Sequence, residues 1–380
     1  MSFKLCIWMN IPSHYQSAFF RALDARNDVD LKVVYLSGAS NDRAAEGWCE
    51  THDYQQFECN AEGTGLVENV DQLLPDWTER VHLICSTFSS DLIDLFCRRG
   101  VVWCHWSEMP GIQLTDLLGH RMSLFRMLNP IMLLCKQAEG RRIRKHALGS
   151  FGQGLLARKA FRLMGVPNTK IADLYYVPAA LKPLAACTQV LDFSAGRKVF
   201  LTVGALCKRK GIDILLKAFA QLEIKDWCLV ICGLDKSGGQ YQVLSEKLGI
   251  TDCVLFLGAY PSDQIAEVYA VADVFILSSR FDGWGAVLNE AASLGMPLIA
   301  TDMCGAAWHV IEDGKNGFRV KVGSVSGLAE KMRVYIKQPQ LMKEHGRYSR
   351  ELFFREFTPE RNAERLIQAI STFTECRSKR

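Results

Sequence analysis

The sequence predicts an α/β chain made of two doubly wound, Rossmann-like domains that face each other across a cleft. Three observations carry this prediction. The 380 residues are too many for one comfortable core, and domains of about 100–200 residues make two the expected number. Short apolar runs of strand length alternate with helical patterns along the chain. The alternation also falls into two series, parted by a turn-rich stretch at 178–198.

In the first series the candidate strands are 4–9, 31–36, 81–85, 101–104 and 174–177. In the second they are 199–203, 228–232, 254–257, 274–277, 298–301 and 318–320. Their near-continuous apolar character implies parallel sheets covered on both faces. Between strands lie segments such as 212–222, where Ile212, Leu215, Leu216 and Phe219 recur at helical spacing. The resulting boundaries are 1–185, 186–358 and a last helix in 359–380 that returns toward the first domain. Open α/β sheets bind ligands beyond the carboxyl ends of their strands, so the cleft is the expected site.

Composition excludes several classes. With 49% apolar and 23% charged residues, the chain is neither disordered nor fibrous. A net charge of +4 gives no footprint for nucleic acid. The 14 cysteines are scattered without a CxxC pair, which argues against a disulfide framework or zinc knuckle and for a reducing cytosol. The apolar run from Phe3 to Met9 gives way at once to Asn10 and Pro12, unlike an export signal. The greasy stretch 122–135 holds Arg126 and Asn129 and is too short to span a bilayer. A cytoplasmic location is expected. Charge is nevertheless uneven, with a balance of −9 over residues 1–97 and +10 over 98–170. The basic segment 121–145 interleaves Arg121, Arg126, Arg141 and Lys145 with Met122, Phe125 and Ile131. It reads either as a patch resting on an anionic membrane surface or as a solvated helix face over ordinary core.

The chemistry concentrates in Ser278 to Ala291, which follows an apolar strand and opens a helix. Gly283 and Gly285 let the backbone approach a ligand closely. The free N–H groups of Gly285, Ala286 and Val287 at the helix start suit a diphosphate. Glu290 leans back toward that start and reaches hydroxyls one unit beyond the phosphates, such as those of a ribose. Asp282 stands at the other end of the loop, so two acceptors flank an anion site, as a nucleotide sugar requires. Alternatively, an acidic residue before a helix is only a cap. A second basic turn, Lys208-Arg209-Lys210-Gly211, follows the strand ending at Val203 and could neutralise a leaving diphosphate.

Together these stretches resemble the C-terminal domain of the family 4 retaining glycosyltransferases, which have the GT-B architecture. The cues run in family order: Arg209-Lys210-Gly211, Val254 to Gly258, Tyr269 to Asp273, Ser278-Ser279, Asp282 to Glu290, Gly295-Met296-Pro297 and Gly314 to Gly317. The resemblance implies transfer from a nucleoside diphosphate sugar with retention of anomeric configuration, and without a metal or other cofactor. It implies that Glu290 holds the ribose, Asp282 the donor sugar, and Lys210 with Arg209 the diphosphate. Backbone at Gly283, Trp284 and Gly285 would contact sugar and phosphates, and Gly258 would border the base. The chain departs from the family in having Asp282 where a glutamate is usual and Ala205 where an arginine often stands.

The first domain resembles the family more faintly. His14 and Tyr15 follow the first strand and are placed to meet a glycan acceptor, with a capping or core role as the alternative. Trp103 to Pro110 leaves a strand end, and the family often has a histidine or glutamate there. Glu108 and His105 are therefore the polar candidates near the reacting carbon, with Glu108 suited to proton transfer if buried. On the membrane reading, the acceptor is lipid-linked, as in surface polysaccharide assembly. Asp282→Ala is expected to abolish transfer with the fold intact. Rival readings on the same architecture are a sugar phosphorylase, a sugar-nucleotide epimerase, or a non-catalytic partner that binds nucleotide or glycan. Two further motifs are discounted. Gly152 to Ala157 mimics a dinucleotide fingerprint, but 144–150 does not read as a buried strand, and Asp173 reads as preceding its strand. Asp28-Val29-Asp30 reads as a solvated turn, not a metal pair.

Overall fold

The computed structural model describes residues 2–38, 52–63, 65–85, 90–108, 130–222 and 226–378. Within them, β1 (Phe3–Met9), β2 (Val29–Tyr35), β3 (Glu58–Asn60), β4 (Val81–Cys85), β5 (Trp103–Ser107), β6 (Gly149–Gly152) and β7 (Ile171–Asp173) form one sheet. Its order is β3-β2-β1-β4-β5-β6-β7, and every pairing is parallel. The second sheet holds β8 (Lys198–Val203), β9 (Trp227–Cys232), β10 (Val254–Gly258), β11 (Val274–Leu277), β12 (Leu298–Thr301) and β13 (Gly317–Val320). It is also wholly parallel, in the order β10-β9-β8-β11-β12-β13. In each sheet the strand order reverses beside the first strand, at β1/β4 and at β8/β11. Those are the switch points where open α/β sheets take ligands.

Apolar residues cover both faces of both sheets. Leu5, Ile7 and Phe151 pack on one face of the first sheet, and Cys6, Trp8, Trp103 and Phe161 on the other. In the second, Leu201, Phe275 and Leu298 oppose Phe200, Ile276 and Ile299. The helix Ile212–Ala220 buries Ile212, Leu215, Leu216 and Phe219, as its spacing predicts. The last helix, Pro359–Ser378, sends Ala363, Leu366, Ile370 and Phe373 into the core of the first sheet.

Several strand expectations shift. The 101–104 run pairs two residues later, as Trp103–Ser107. The 174–177 run is not a strand. Leu174 N donates to Gly152 O, and the buried Asn362 carboxamide then takes both backbone groups of Tyr175, at 3.1 and 2.9 Å. An amide from the last helix thus stands in for a neighbouring strand. The strand before it is Ile171–Asp173.

The reasons given for discounting the Gly152 to Ala157 fingerprint are overturned. Gly149–Gly152 is a fully buried strand, and Asp173 ends β7. The site is nonetheless filled by protein. A Cβ on Gly154 (φ +77°) would overlap the His309 ring and crowd Trp284, both from the second domain. Asp28 pairs with Arg26 and Asp30 with Arg80, and Val29 and Asp30 already belong to β2, so the stretch is a strand start held by arginines and not a solvated turn. Among the described residues the cysteines are free, and no helix is long and apolar enough to cross a membrane.

Candidate active site

The two switch points face each other across a cavity of about 980 Å³. Its second-domain wall begins where β8 ends. Gly204 (φ +142°) leaves room for the Lys210 stem, whose Cε would lie 3.2 Å from a Cβ there. The turn Lys208–Lys210 closes on Gly211 (φ +67°), where a Cβ would overlap the carbonyl of Ser278. Glycine is therefore required for this turn to dock against the end of β11.

The turn presents Lys210 Nζ to Asp282 Oδ2 at 2.7 Å, and Arg209 Nη1 lies 3.8 Å from the same oxygen. Burial alone would push the Asp282 carboxyl up. The Lys210 ammonium and Arg209 guanidinium outweigh it and hold the group below the usual aspartate range. The Asp282 loop is stitched to its neighbour by Asp282 N→Met303 O (3.0 Å), Gly305 N→Asp282 O (3.1 Å) and Ala306 N→Trp284 O (2.8 Å). A Cβ on Gly305 would overlap the Gly283 carbonyl, so this close approach also depends on glycine.

Backbone from Gly283 through Trp284, Gly285, Ala286 and Val287 lines the cavity and leads into the helix Val287–Ser293. Glu290 lines it too, 4% exposed, and accepts a 2.8 Å hydrogen bond from the Tyr269 hydroxyl. Burial pushes its carboxyl up to about 7, with the Tyr269 bond opposing the shift. Tyr269 belongs to a stretch the sequence marks as a cue, but nothing in the sequence shows that it holds Glu290.

The first-domain wall comes from the ends of β1, β4 and β5 and the start of the helix His14–Asp24. His14 and Tyr15 line the cavity, their rings 4.0 Å apart. Glu108 follows β5 and reaches across the cleft, where a Cβ on Gly283 would overlap its carboxylate. It is exposed, so the burial that its expected proton-transfer role called for is absent. Strand alternation sends His105 the other way. It is buried edge-on against Phe161, outside the cavity lining, and burial lowers its imidazole to about 4. The sequence expectation for His105 is corrected accordingly. Gly258 likewise does not line the cavity. Its carbonyl accepts from Gly233 N at 2.7 Å, and Gly233 is the lining residue. Sequence reasoning also missed Gln16, Gln153, Tyr176 and Lys236, all of which line the cleft.

Beside the Asp282–Val287 loop the domains are joined. The Trp284 ring is buried and stacks on Tyr175 with centroids 4.9 Å apart. Leu155 N donates to His309 Nε2 at 2.8 Å, so that nitrogen is the acceptor and the ring is neutral. Nδ1 then carries the proton toward the Tyr175 hydroxyl (3.3 Å), which donates to Asp173 Oδ2 (3.4 Å). Burial keeps His309 below the ordinary imidazole value, in keeping with this order.

In the basic segment, residues 121–129 lie outside the described residues. Farther along the helix Pro130–His146, Arg142 pairs with Asp94 and Arg144 donates to Met164 O, while Arg141 and Lys145 are exposed.

Residues 188–352 match the family model described as glycosyl transferases group 1. The chain is 30% identical over 169 residues to N-acetyl-alpha-D-glucosaminyl L-malate synthase of Bacillus anthracis, covering 44% of each chain. It is 32% identical over 161 residues to D-inositol 3-phosphate glycosyltransferase of Corynebacterium jeikeium, covering 40% of this chain and 38% of the relative. The matches thus span less than half the length of these relatives. The structure of Anabaena HepE in complex with UDP superposes with TM-score 0.73 at 16% identity, over 97% of this chain and 100% of HepE. The lipopolysaccharide outer core galactosyltransferase WaaB superposes with TM-score 0.69 at 15% identity, over 97% and 99%. Residues 188–352 thus resemble the glycosyl transferases group 1 family, within a chain whose two parallel sheets give it the GT-B architecture.

Proposed function

We propose that the protein transfers a sugar from a nucleoside diphosphate sugar to a glycan acceptor, with retention of anomeric configuration and no metal. The observation that carries this reading is one cavity lined by two cations, Lys210 and Arg209, and by the carboxylates of Asp282 and Glu290. The cations suit a diphosphate, Glu290 a ribose and Asp282 the donor sugar. The bond from anomeric carbon to phosphate oxygen breaks with its electron pair passing to the diphosphate, which Lys210 and Arg209 stabilise. The acceptor oxygen attacks on the same face, and its proton passes to the departing diphosphate or to Glu108. Closure of the domains excludes water and limits donor hydrolysis. UDP is the first base to test, since HepE has been crystallised with UDP, with UDP and glucose, and with UDP-glucose. WaaB, named for the lipopolysaccharide outer core, supports a lipid-linked acceptor in surface glycan assembly. Such work would place the protein at the cytoplasmic face of the membrane, through the basic segment 121–145. Retention of the protein by anionic vesicles tests that part, and a free protein in their presence would refute it.

Calorimetry with UDP, GDP, ADP and CMP under chelation tests the donor site, with tight binding of one diphosphate nucleotide expected. Ribose hydroxyls donate to an ionised carboxylate. With Glu290 at about 7, affinity should fall by up to about tenfold for each pH unit below 7. Glu290→Gln should weaken binding and remove its share of that slope. Stability moves the other way. The folded value of about 7 lies above the ordinary 4.5, so the contribution is full below pH 4.5 and is lost as pH rises through 7. Its size is about 3 kcal/mol. Glu290→Gln should therefore melt above the native protein at pH 8 and level with it at pH 4. Equal melting at both values would refute the placement of an ionisable group there.

A further inference from the structure

The first-domain wall carries polar groups that neither the donor site nor the fold uses. Gln16 and Gln153 line the cavity, and each is only 1% exposed. Neither polar atom of the Gln16 carboxamide, nor Gln153 Oε1, has a hydrogen-bond partner among the described residues. The Tyr176 hydroxyl interacts with both side chains, though not within hydrogen-bond geometry to Gln16 or to Gln153 Oε1. Buried amides without partners are costly, and each in a folded protein calls for an explanation. A leucine of similar volume would fill the same space at lower cost, so packing does not explain them.

A carboxamide offers both a donor and an acceptor, as does a sugar hydroxyl. Charge narrows the ligand further. Among the described lining residues, the cations Lys208, Arg209, Lys210 and Lys236 all belong to the second domain, and the first-domain wall carries the Glu108 carboxylate. An anionic group would be drawn to the opposite wall and repelled from this one. We propose that Gln16, Gln153 and Tyr176 form a subsite for the ring hydroxyls of a neutral sugar, namely the acceptor unit that receives the transferred sugar. This rests on the transferase reading above, and it adds the residues and the uncharged nature of the acceptor.

Saturation-transfer NMR on the full chain, with and without UDP, tests the subsite. The probes are methyl glycosides of glucose, galactose, mannose and N-acetylglucosamine, with glycerol 3-phosphate as the anionic comparison. At least one glycoside should receive saturation, and glycerol 3-phosphate should not compete for it. The double variant Gln16→Leu/Gln153→Leu should weaken the glycoside signal by about fivefold or more. Its melting temperature without ligand should hold or rise, and its UDP affinity should be unchanged. A pair kept only for the fold would instead melt lower. The proposal is overturned by that lower melting, by an undiminished glycoside signal in the variant, or by wild-type protein that takes no glycoside. If wild-type protein binds no nucleotide, the donor reading fails, while the nucleotide-free arm still decides the subsite.

Discussion

Asp282→Asn is expected to lower sugar transfer by about 10²–10³-fold, the loss typical when one preorganised contact to the reacting group is removed. The substitution keeps the side chain's size and removes its charge. In the native protein Asp282 Oδ2 lies 2.7 Å from Lys210 Nζ, with side chains 12% and 13% exposed. On the proposed reading, an arriving diphosphate would give the lysine a second anion and release the carboxylate to accept a sugar hydroxyl. The variant would lose that hydroxyl contact and the ion pair with Lys210. Removing one member of a buried pair costs about 3–5 kcal/mol, and the opening of this pair to the cleft favours the low end. The structure thus revises the expectation that Asp282→Ala leaves the fold untouched, since either substitution should lower the melting temperature. Transfer kinetics beside a thermal melt decide the matter. A folded variant transferring within tenfold of wild type would sink the role given to Asp282.

The second large effect is structural. Gly154→Ala places a Cβ against the His309 ring and within 3.1 Å of Trp284, at a backbone φ of +77°. The left-handed backbone alone costs about 1–2 kcal/mol, and forcing an atom into a filled site typically adds 1–3, here about the same again. The damage falls on the bond from Leu155 N to His309 and on the Trp284–Tyr175 stack, which join the domains beside the Asp282–Val287 loop. Melting should drop by several degrees, and transfer should fall with it because Trp284 carries the backbone next to Gly283. An unchanged melting curve would show that this junction yields freely.

Much of this was legible in the sequence, for identifiable reasons. Strands β8, β9, β11 and β12 are buried on both faces, so they read as unbroken apolar runs. The Asp282–Glu290 loop was legible because its glycines and carboxylates are neighbours in sequence, whereas its cations come from a separate turn 72 positions earlier. Strand β6 was not. Gly149-Ser150-Phe151-Gly152 has no β-branched residue, and its small residues answer to a distant partner: a Cβ on Gly149 would overlap the Phe373 ring of the last helix. The strand predicted at 174–177 failed for a similar reason, because Asn362 lies 187 positions away from the Tyr175 backbone it satisfies. His105 and Glu108 could not be told apart without knowing where β5 begins, since one residue's shift in register exchanges the faces. Gln16 and Gln153 carry no local signal at all. Their importance lies in the absence of partners, and a lone sequence does not display that.

The last helix has a consequence for how the molecule comes into being on the ribosome. Ala363, Leu366, Ile370 and Phe373 cover the sheet that contains Leu5 and Ile7, so that face of β1 waits for a helix more than 350 residues later before it is closed. Domains assembled during translation usually finish in the order in which they emerge. Here the order is inverted: the second domain has every strand of its own sheet by Val320, while the first still shows a partly bare apolar surface. Until residues 359–378 arrive, the helix His14–Asp24, through Phe19, Phe20 and Leu23, covers only part of that surface. A ribosome stalled before Pro359 should hold a folded second domain beside a first domain open to chaperones and proteases.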